Sequence, residues 1–458
     1  MGKLRNLSGL ALLYLLTGCN NVNKTASKVK RPNIIVLYVD DMGIGDVSYL
    51  NGKIAPTPNI DSLAHNGKVF TQYYTTAPVC SPSRVALTTG MYHIRWNINT
   101  FLNDRKFNRN CEQSDFLKSS APTIAKQMQG AGYKTAHFGK WHMGGGRDVD
   151  NAPSIKSYGF DTYKSTWESP DPDPVITASN WIWSPEDSIK RWERTAYFVD
   201  QTLEFLKANK NASCFINLWP DDVHSPWVAS EQFQNEEPKR YFSKRNLQPV
   251  VAEFDRQVGR LLKGLAELGI NENTLIIFTS DNGPAPSFEH IRTNDLRGIK
   301  NSIYEGGINM PFIAYWPGHI KGGQTDSTSI IASVDMFPTL CEIAGAELPD
   351  GFELDGEDIG DCLKSNKTRE RNRDLFFEYG RNTTYNYPRD PNDKSPQLGI
   401  RHQNWKLLTD TLGNQVELYN LNEDRYESVN VSSENFELTE ELKVKLLSWY
   451  KKFDKEYQ

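Results

Sequence analysis

Four apolar runs, each delivering polar residues where it stops, constrain this chain more than anything else in it. Ile34-Ile35-Val36-Leu37-Tyr38-Val39 runs into Asp40-Asp41. Tyr133 to Gly139 precedes Lys140-Trp141-His142, Cys214 to Trp219 precedes His224, and Thr274 to Ser280 precedes Asp281-Asn282-Gly283. A continuous apolar run of this length reads as a strand covered on both faces. Helical stretches such as Ala121 to Gly130 and Val251 to Leu268 separate the runs. The predicted fold class is therefore α/β, a large mostly parallel or mixed sheet sandwiched by helices. In such sheets sites gather at the carboxyl ends of strands, so four strand ends bring their polar groups to one rim.

After a further strand at Pro311 to Trp316 and a helix near Asp335 to Ala344, the pattern changes. Segments 374–380, 398–409 and 415–420 read as short antiparallel strands, and 438–453 as a closing helix. A boundary near 350 divides a catalytic part, 32–350, from a smaller α+β part, 351–458.

At the N-terminus, Lys3 and Arg5 lead into an apolar run from Leu7 to Leu16 and then Leu16-Thr17-Gly18-Cys19. This resembles a bacterial lipoprotein signal, with residues 1–18 removed, Cys19 lipidated and residues 19–31 as a tether. A plain secretory signal is the alternative. The run is too short to span a bilayer as a helix. The expectation is an exported lipoprotein, periplasmic or cell-surface and membrane-anchored. With 52 basic against 57 acidic residues, the chain is no general polyanion binder, and nucleic acid is not expected as a partner. An anionic substrate would need a local cluster of cations. Cys111, Cys214, Cys341 and Cys362 match no zinc spacing; an exported protein can pair some of them, and the sequence does not say which.

Ala77-Pro78-Val79-Cys80-Ser81-Pro82-Ser83-Arg84-Val85-Ala86-Leu87-Thr88-Thr89-Gly90 sets one cysteine at a helix entrance with an arginine four residues on. Pro82 suits the first turn of that helix and Gly90 its end. Backbone N–H groups converge near Cys80, where an anion is welcome. The pattern C-x-P-x-R followed by A-L-x-T-G resembles the signature of the formylglycine-dependent type I sulfatases of the alkaline phosphatase superfamily. The resemblance covers about residues 32 to 345. It implies that Cys80 is oxidised to formylglycine by a maturation enzyme.

The same resemblance extends to Asp40-Asp41-x-Gly43-x-Gly45-Asp46, Ser280-Asp281-Asn282-Gly283, Gly139-Lys140-Trp141-His142, His224, and Leu296-Arg297-Gly298-x-Lys300. It implies a metal site of Asp40, Asp41, Cys80, Asp281 and Asn282, sulfate contacts from Lys140 and Lys300, and catalytic roles for Cys80, Arg84, His142 and His224. Independently of family, three carboxylates and an amide oxygen form a hard all-oxygen set that suits Ca2+, with Mg2+ second. Lys140 and His142 alternate along the sequence and, on an extended chain, share one face. Asp221-Asp222 departs from the proline the family places before the residue matched by His224.

The chemistry requires these residue types. A sulfate monoester repels a nucleophile until its charge is neutralised, and a hydrated aldehyde has a second hydroxyl that expels the sulfate. Arg84 would hold the modified side chain by planar charge-assisted hydrogen bonds, His224 protonate the leaving sugar oxygen, and His142 act as base. The expected activity is removal of sulfate from sulfated carbohydrate. A phosphonate or phosphate ester hydrolase of the same superfamily and a noncatalytic glycan-binding lipoprotein are the alternatives. The stretch from Trp167 to Trp192 is rich in tryptophan and proline, as a sugar-stacking wall or a local apolar plug would be. Trp96, Arg147, Trp167, Trp183, Arg292 and Arg389 are candidate sugar contacts.

Overall fold

The computed structural model describes residues 1–2, 31–179, 183–229 and 242–454. The signal segment, Cys19, most of the tether and Trp181 lie outside the described residues.

Eight strands form one sheet. In spatial order they are Gln324–Asp326, Lys68–Phe70, Phe312–Tyr315, Thr274–Ser280, Asn33–Val39, Cys214–Trp219, Lys134–Gly139 and Thr162–Ser165. Asn33–Val39 is central and parallel to both neighbours, with Val36 beside Ile277 on one side and Asn217 on the other. Phe312–Tyr315 runs antiparallel to both of its neighbours, so the sheet is mixed.

Alternation along the central strand assigns the two faces. Ile35, Leu37 and Val39 pack under the helices Pro58–Asn66, Arg194–Ala208 and Lys244–Glu267. Ile34, Val36 and Tyr38 meet the helices Cys80–Thr89, Ile124–Gly130 and Met336–Ala344. Burying each such side chain contributes about 1.5–3 kcal/mol, which is why runs without a polar face settle between two helical layers. The helix expected from Val251 begins at Lys244 and passes through Pro249. Burial of Leu247, Val250 and Val251 on one stripe outweighs the single backbone bond lost at the proline.

The C-terminal sheet is antiparallel throughout, in the order Leu375–Glu378, Leu398–His402, Trp405–Thr409, Glu417–Asn420. The segment 398–409, expected as one strand, is a hairpin, turning at Gln403 with φ 48°. The helix Phe436–Asp454 covers one face through Leu442 and Leu446. Leu375, Phe377 and Tyr419 share a core with Val79, Cys80 and Ala86. The small sheet thus braces the helix that presents Cys80, and from Arg31 onward the chain packs as one compact unit. Cys80, Cys111, Cys214, Cys341 and Cys362 are all buried free thiols, so the pairing left open by the sequence is absent among the described cysteines.

Candidate active site

Three strand ends build the floor of the site. Asp40 and Asp41 follow Val39, and Asp281 and Asn282 follow Ser280 on the neighbouring parallel strand. One oxygen from each of Asp40, Asp41 and Asp281 lies within 4.8 Å of the others, and all three residues are buried. Asp281 Oδ1 accepts the backbone N–H of Asp41 at 3.1 Å, which ties the two strand ends together. Asp41 sits at φ 58°, a left-handed turn that swings the chain off the sheet.

Cations close over these acids. Lys140 Nζ lies 2.7 Å from Asp40 Oδ2 and Lys300 Nζ 2.6 Å from Asp41 Oδ1. Arg84 sits beneath, donating to Asp281 Oδ2 at 2.7 Å and to the Lys140 carbonyl at 2.9 Å, with Asp40 Oδ1 at 3.2 Å. Its guanidinium also lies over the rings of Trp219 and Tyr38. Lys140 is delivered by the strand Lys134–Gly139, whose last residue has φ 120° and lies so close to the Trp219 carbonyl that a Cβ would come within 2.0 Å of it. Only glycine fits there.

Burial alone would raise all three acidic pKa values. At Asp40 the cations, Lys140 foremost, more than offset it and hold the carboxyl well below its usual range. At Asp281 burial and the Asp40 charge prevail, pushing it well above that range despite Arg84. Crowded carboxylates of this kind are relieved by a divalent cation. The donor set fits one: Asn282 gives its amide N–H to Asp41 at 2.7 Å, while its Oδ1 is buried with no hydrogen-bond partner. The acceptors gathered here, three carboxylates and an amide carbonyl, are all oxygen, the preference of calcium and magnesium.

Above the floor opens a cavity of about 340 Å³ lined by Cys80, Lys140, His142, His224 and Lys300, with Arg147, Trp167 and Glu168 on its wall. Cys80 opens the helix Cys80–Thr89, with Pro82 in its first turn and Gly90 as its cap. His142 Nε2 lies 3.0 Å from the Leu102 carbonyl while Nδ1 is buried without a partner. A carbonyl only accepts, so Nε2 carries the proton and Nδ1 is a free base. His224 Nδ1 lies 2.5 Å from the Ser225 carbonyl, leaving Nε2 at 3.7 Å from Asp41 Oδ2. Burial lowers both imidazoles, His142 to about 3, with Lys140 adding to the effect, and His224 to about 4.

The sulfatase family model matches residues 32–346, and a model of the C-terminal region of N-sulphoglucosamine sulphohydrolase matches residues 299–452. The chain belongs to the sulfatase family. It is 31% identical to N-acetylgalactosamine-6-sulfatase of Rattus norvegicus, over 72% of this chain and 65% of that enzyme. It is 28% identical to N-acetylgalactosamine-6-O-sulfatase of Bacteroides thetaiotaomicron, over 95% and 96%. The crystal structure of Ps i-CgsB in complex with k-i-k-neocarrahexaose superimposes with TM-score 0.73 at 25% identity, covering 90% of this chain and 91% of that one.

In this sulfatase the residues singled out from sequence as the core of the site do converge, but the sugar-contact candidates divide. Arg147 and Trp167 line the cavity, the guanidinium 5.8 Å from the ring centre. Arg389 lines an adjoining cavity that shares Lys300, Asn301 and Asn386 with the first. Arg292 is fully buried, clamped on Asp46 at 2.8 Å and on the Asp41 carbonyl at 2.7 Å, and is no sugar contact. That clamp also removes Asp46 from the metal cluster. Trp183 packs with Val228 and Trp192, and Trp96 lies against Phe352, so neither is at the cavity. His142 has φ 49°: the chain turns there instead of extending, yet Lys140 and His142 still face one cavity. Asp221 and Asp222 are explained by Arg191, Arg194 and Thr195, which hold the loop where the family has proline. Sequence reasoning missed Glu168, Asn301 and Asn386.

Proposed function

We propose that this sulfatase removes sulfate from sulfated carbohydrate, with Cys80 converted to formylglycine by a maturation enzyme and a divalent cation, calcium before magnesium, held by Asp40, Asp41, Asp281 and Asn282 beside residue 80. Together these groups supply the nucleophile and neutralise charge on the sulfate oxygens. The observation that carries the reading is the convergence of three buried carboxylates and two lysines under the cavity that Cys80 lines.

The chain's own residues divide the remaining work. Lys140 and Lys300 present ammonium groups at the cavity floor, where they attract the nonbridging oxygens of a sulfate ester. Arg84 fixes Asp40, Asp281 and the Lys140 backbone in one frame. His142, with Nδ1 unprotonated, takes a proton from residue 80. His224 Nδ1 donates to the Ser225 carbonyl, so Nε2, beside Asp41, is the nitrogen that takes up a proton and passes it to the leaving sugar oxygen. A low pKa makes that imidazolium a strong donor. Carbohydrate as the leaving group is supported by the sugar-directed activities named for the relatives and by the aromatic wall at Trp167.

Cys80→Ala is expected to reduce sulfate release from sulfated oligosaccharides to the uncatalysed level, and mass measurement of the peptide containing residue 80 should show the aldehyde in wild type. Retained turnover in Cys80→Ala would reject the reading. The lipoprotein-like start further supports export and anchoring at the periplasmic or outer cell surface through Cys19. Fatty-acid labelling lost in Cys19→Ala is the expected result; labelling that persists rejects the anchor.

A further inference from the structure

A sulfate-binding cavity has reason to hold cations and reason to avoid anions, yet this one contains Glu168. The residue lines the cavity together with Lys140, His142 and His224. Its Oε2 is buried and has no hydrogen-bond partner. The two lysines of the cavity direct their ammonium groups at Asp40 and Asp41. Glu168 Oε2 is therefore an acceptor left without a donor at the cavity wall.

Its position is built, not incidental. The Glu168 carbonyl accepts the backbone N–H of His142 at 2.9 Å, tying the segment to the catalytic turn. Beneath it run Gly144, Gly145 and Gly146, with φ 125°, 96° and 78°. A Cβ on Gly145 would lie 2.3 Å from the nitrogen of Pro170, and one on Gly146 2.9 Å from the carbonyl of Trp167. Gly145 and Gly146, without side chains, let the segment 167–170 sit directly on the backbone, while Gly144 packs against Phe116; this fixes Trp167 and Glu168 at the wall.

A carboxylate beside the sulfate site weakens the binding of sulfate itself by like-charge repulsion. Lys140 beside it offsets the burial of the charge, but Oε2 still lacks a hydrogen-bond donor, and sugar hydroxyls are such donors. Resting on the sulfate-ester reading above, we infer that Glu168 is a specificity-determining residue that accepts hydrogen bonds from free hydroxyls of the sulfated sugar ring, and that it excludes rings carrying a second sulfate at that position. Selection then works by attraction and by repulsion at one side chain.

The test compares matured wild-type enzyme with Glu168→Gln and Glu168→Ala. Its ligands are monosulfated and disulfated sugars, nitrophenyl sulfate, which has no sugar hydroxyls, and inorganic sulfate as a competitive inhibitor. Loss of a hydrogen bond to a charged acceptor predicts that kcat/KM for monosulfated sugars falls about 10- to 150-fold relative to nitrophenyl sulfate in Glu168→Ala. Glu168→Gln, which keeps one oxygen acceptor, should fall less. Inorganic sulfate should bind more tightly in both variants, and discrimination against disulfated rings should narrow. Equal losses on sugar and nitrophenyl esters, or weaker sulfate binding, would overturn the inference and leave Glu168 a structural residue. Wild-type enzyme inert toward every sulfate ester would instead defeat the functional reading on which it rests.

Discussion

The floor and the wall of the cavity are made in opposite ways. Apart from Lys300, which a loop supplies, the floor consists of residues one or two positions past the ends of parallel strands: Asp40, Asp41, Lys140, Asp281 and Asn282. Their placement follows from the sheet, whose register sets Val39 beside Ser280 and so brings two acidic turns together. The wall comes from loops, with Trp167 and Glu168 seated on a glycine turn and Arg147 bent at φ 55°. A sheet is a rigid frame that positions charge to the accuracy catalysis needs, while loops vary without disturbing that frame. The contrast separates a floor fixed by sheet register from a wall that loops can vary, and on the proposed function it places reaction type and substrate choice in different parts of the chain.

If that division is right, damage to the floor should be severe on every substrate. Asp281→Asn removes a carboxylate that Arg84 holds at 2.7 Å beside Asp40. Turnover of sugar and nitrophenyl sulfates should fall together, by about 10² to 10³, the scale of losing one charge-stabilising group in a site. Added calcium should raise the thermal unfolding temperature of wild type, and the variant should lose that rise, because a ligand stabilises only the state that binds it. A calcium-dependent rise of wild-type size in Asp281→Asn would remove Asp281 from the cation site.

The sequence was informative where structure follows from local pattern. Apolar runs ending in Asp-Asp or Asp-Asn fixed the floor, and Pro82 with Gly90 marked both ends of the helix that carries Cys80. Long-range pairing was invisible. Arg292 reads as a candidate sugar contact until it is seen clamped on Asp46, 246 residues away in the chain. Glu168 is one acid in a proline-rich loop, and nothing around it in sequence points at the cavity. The one signal that could have found it is Gly144-Gly145-Gly146 just after His142: three glycines in a row next to a catalytic turn announce that another backbone packs there. Tryptophan composition was ambiguous because the stretch divides, with Trp167 on the cavity and Trp183 in an apolar cluster.

A wall substitution should separate substrates where a floor substitution does not. Trp167→Ala removes a ring that lines the cavity and carries Arg147 on its face. Kinetics should show kcat/KM for sulfated oligosaccharides reduced about 2- to 10-fold, the worth of one stacking contact, through KM more than kcat. An equal reduction on nitrophenyl sulfate, or a loss as large as that of Asp281→Asn, would mean that the wall supports the floor, and the division between them would fail.

The finest distinction lies between two histidines five residues apart. His142 turns its unprotonated Nδ1 toward the cavity, whereas His137 is sealed among Trp141, Phe160 and Trp219, with ring centres 5.2, 5.5 and 5.1 Å away. Neither His137 nitrogen has a hydrogen-bond partner. Burial, with a smaller push from Arg84, lowers His137 from 6.5 to about 3. Between those values the unfolded chain binds a proton that the folded protein refuses. Stability is therefore undiminished above pH 6.5 and falls as pH drops toward 3, by about 1.4 kcal/mol per pH unit for one such group. His137→Phe should leave the pH profile of turnover in place and flatten the pH dependence of unfolding free energy by up to that slope, measured by denaturant titration between pH 6.5 and 4. An unchanged slope would show that His137 is protonated in the folded core. A displaced turnover profile would show that the frame behind the floor takes part in the proton chemistry it was built to support.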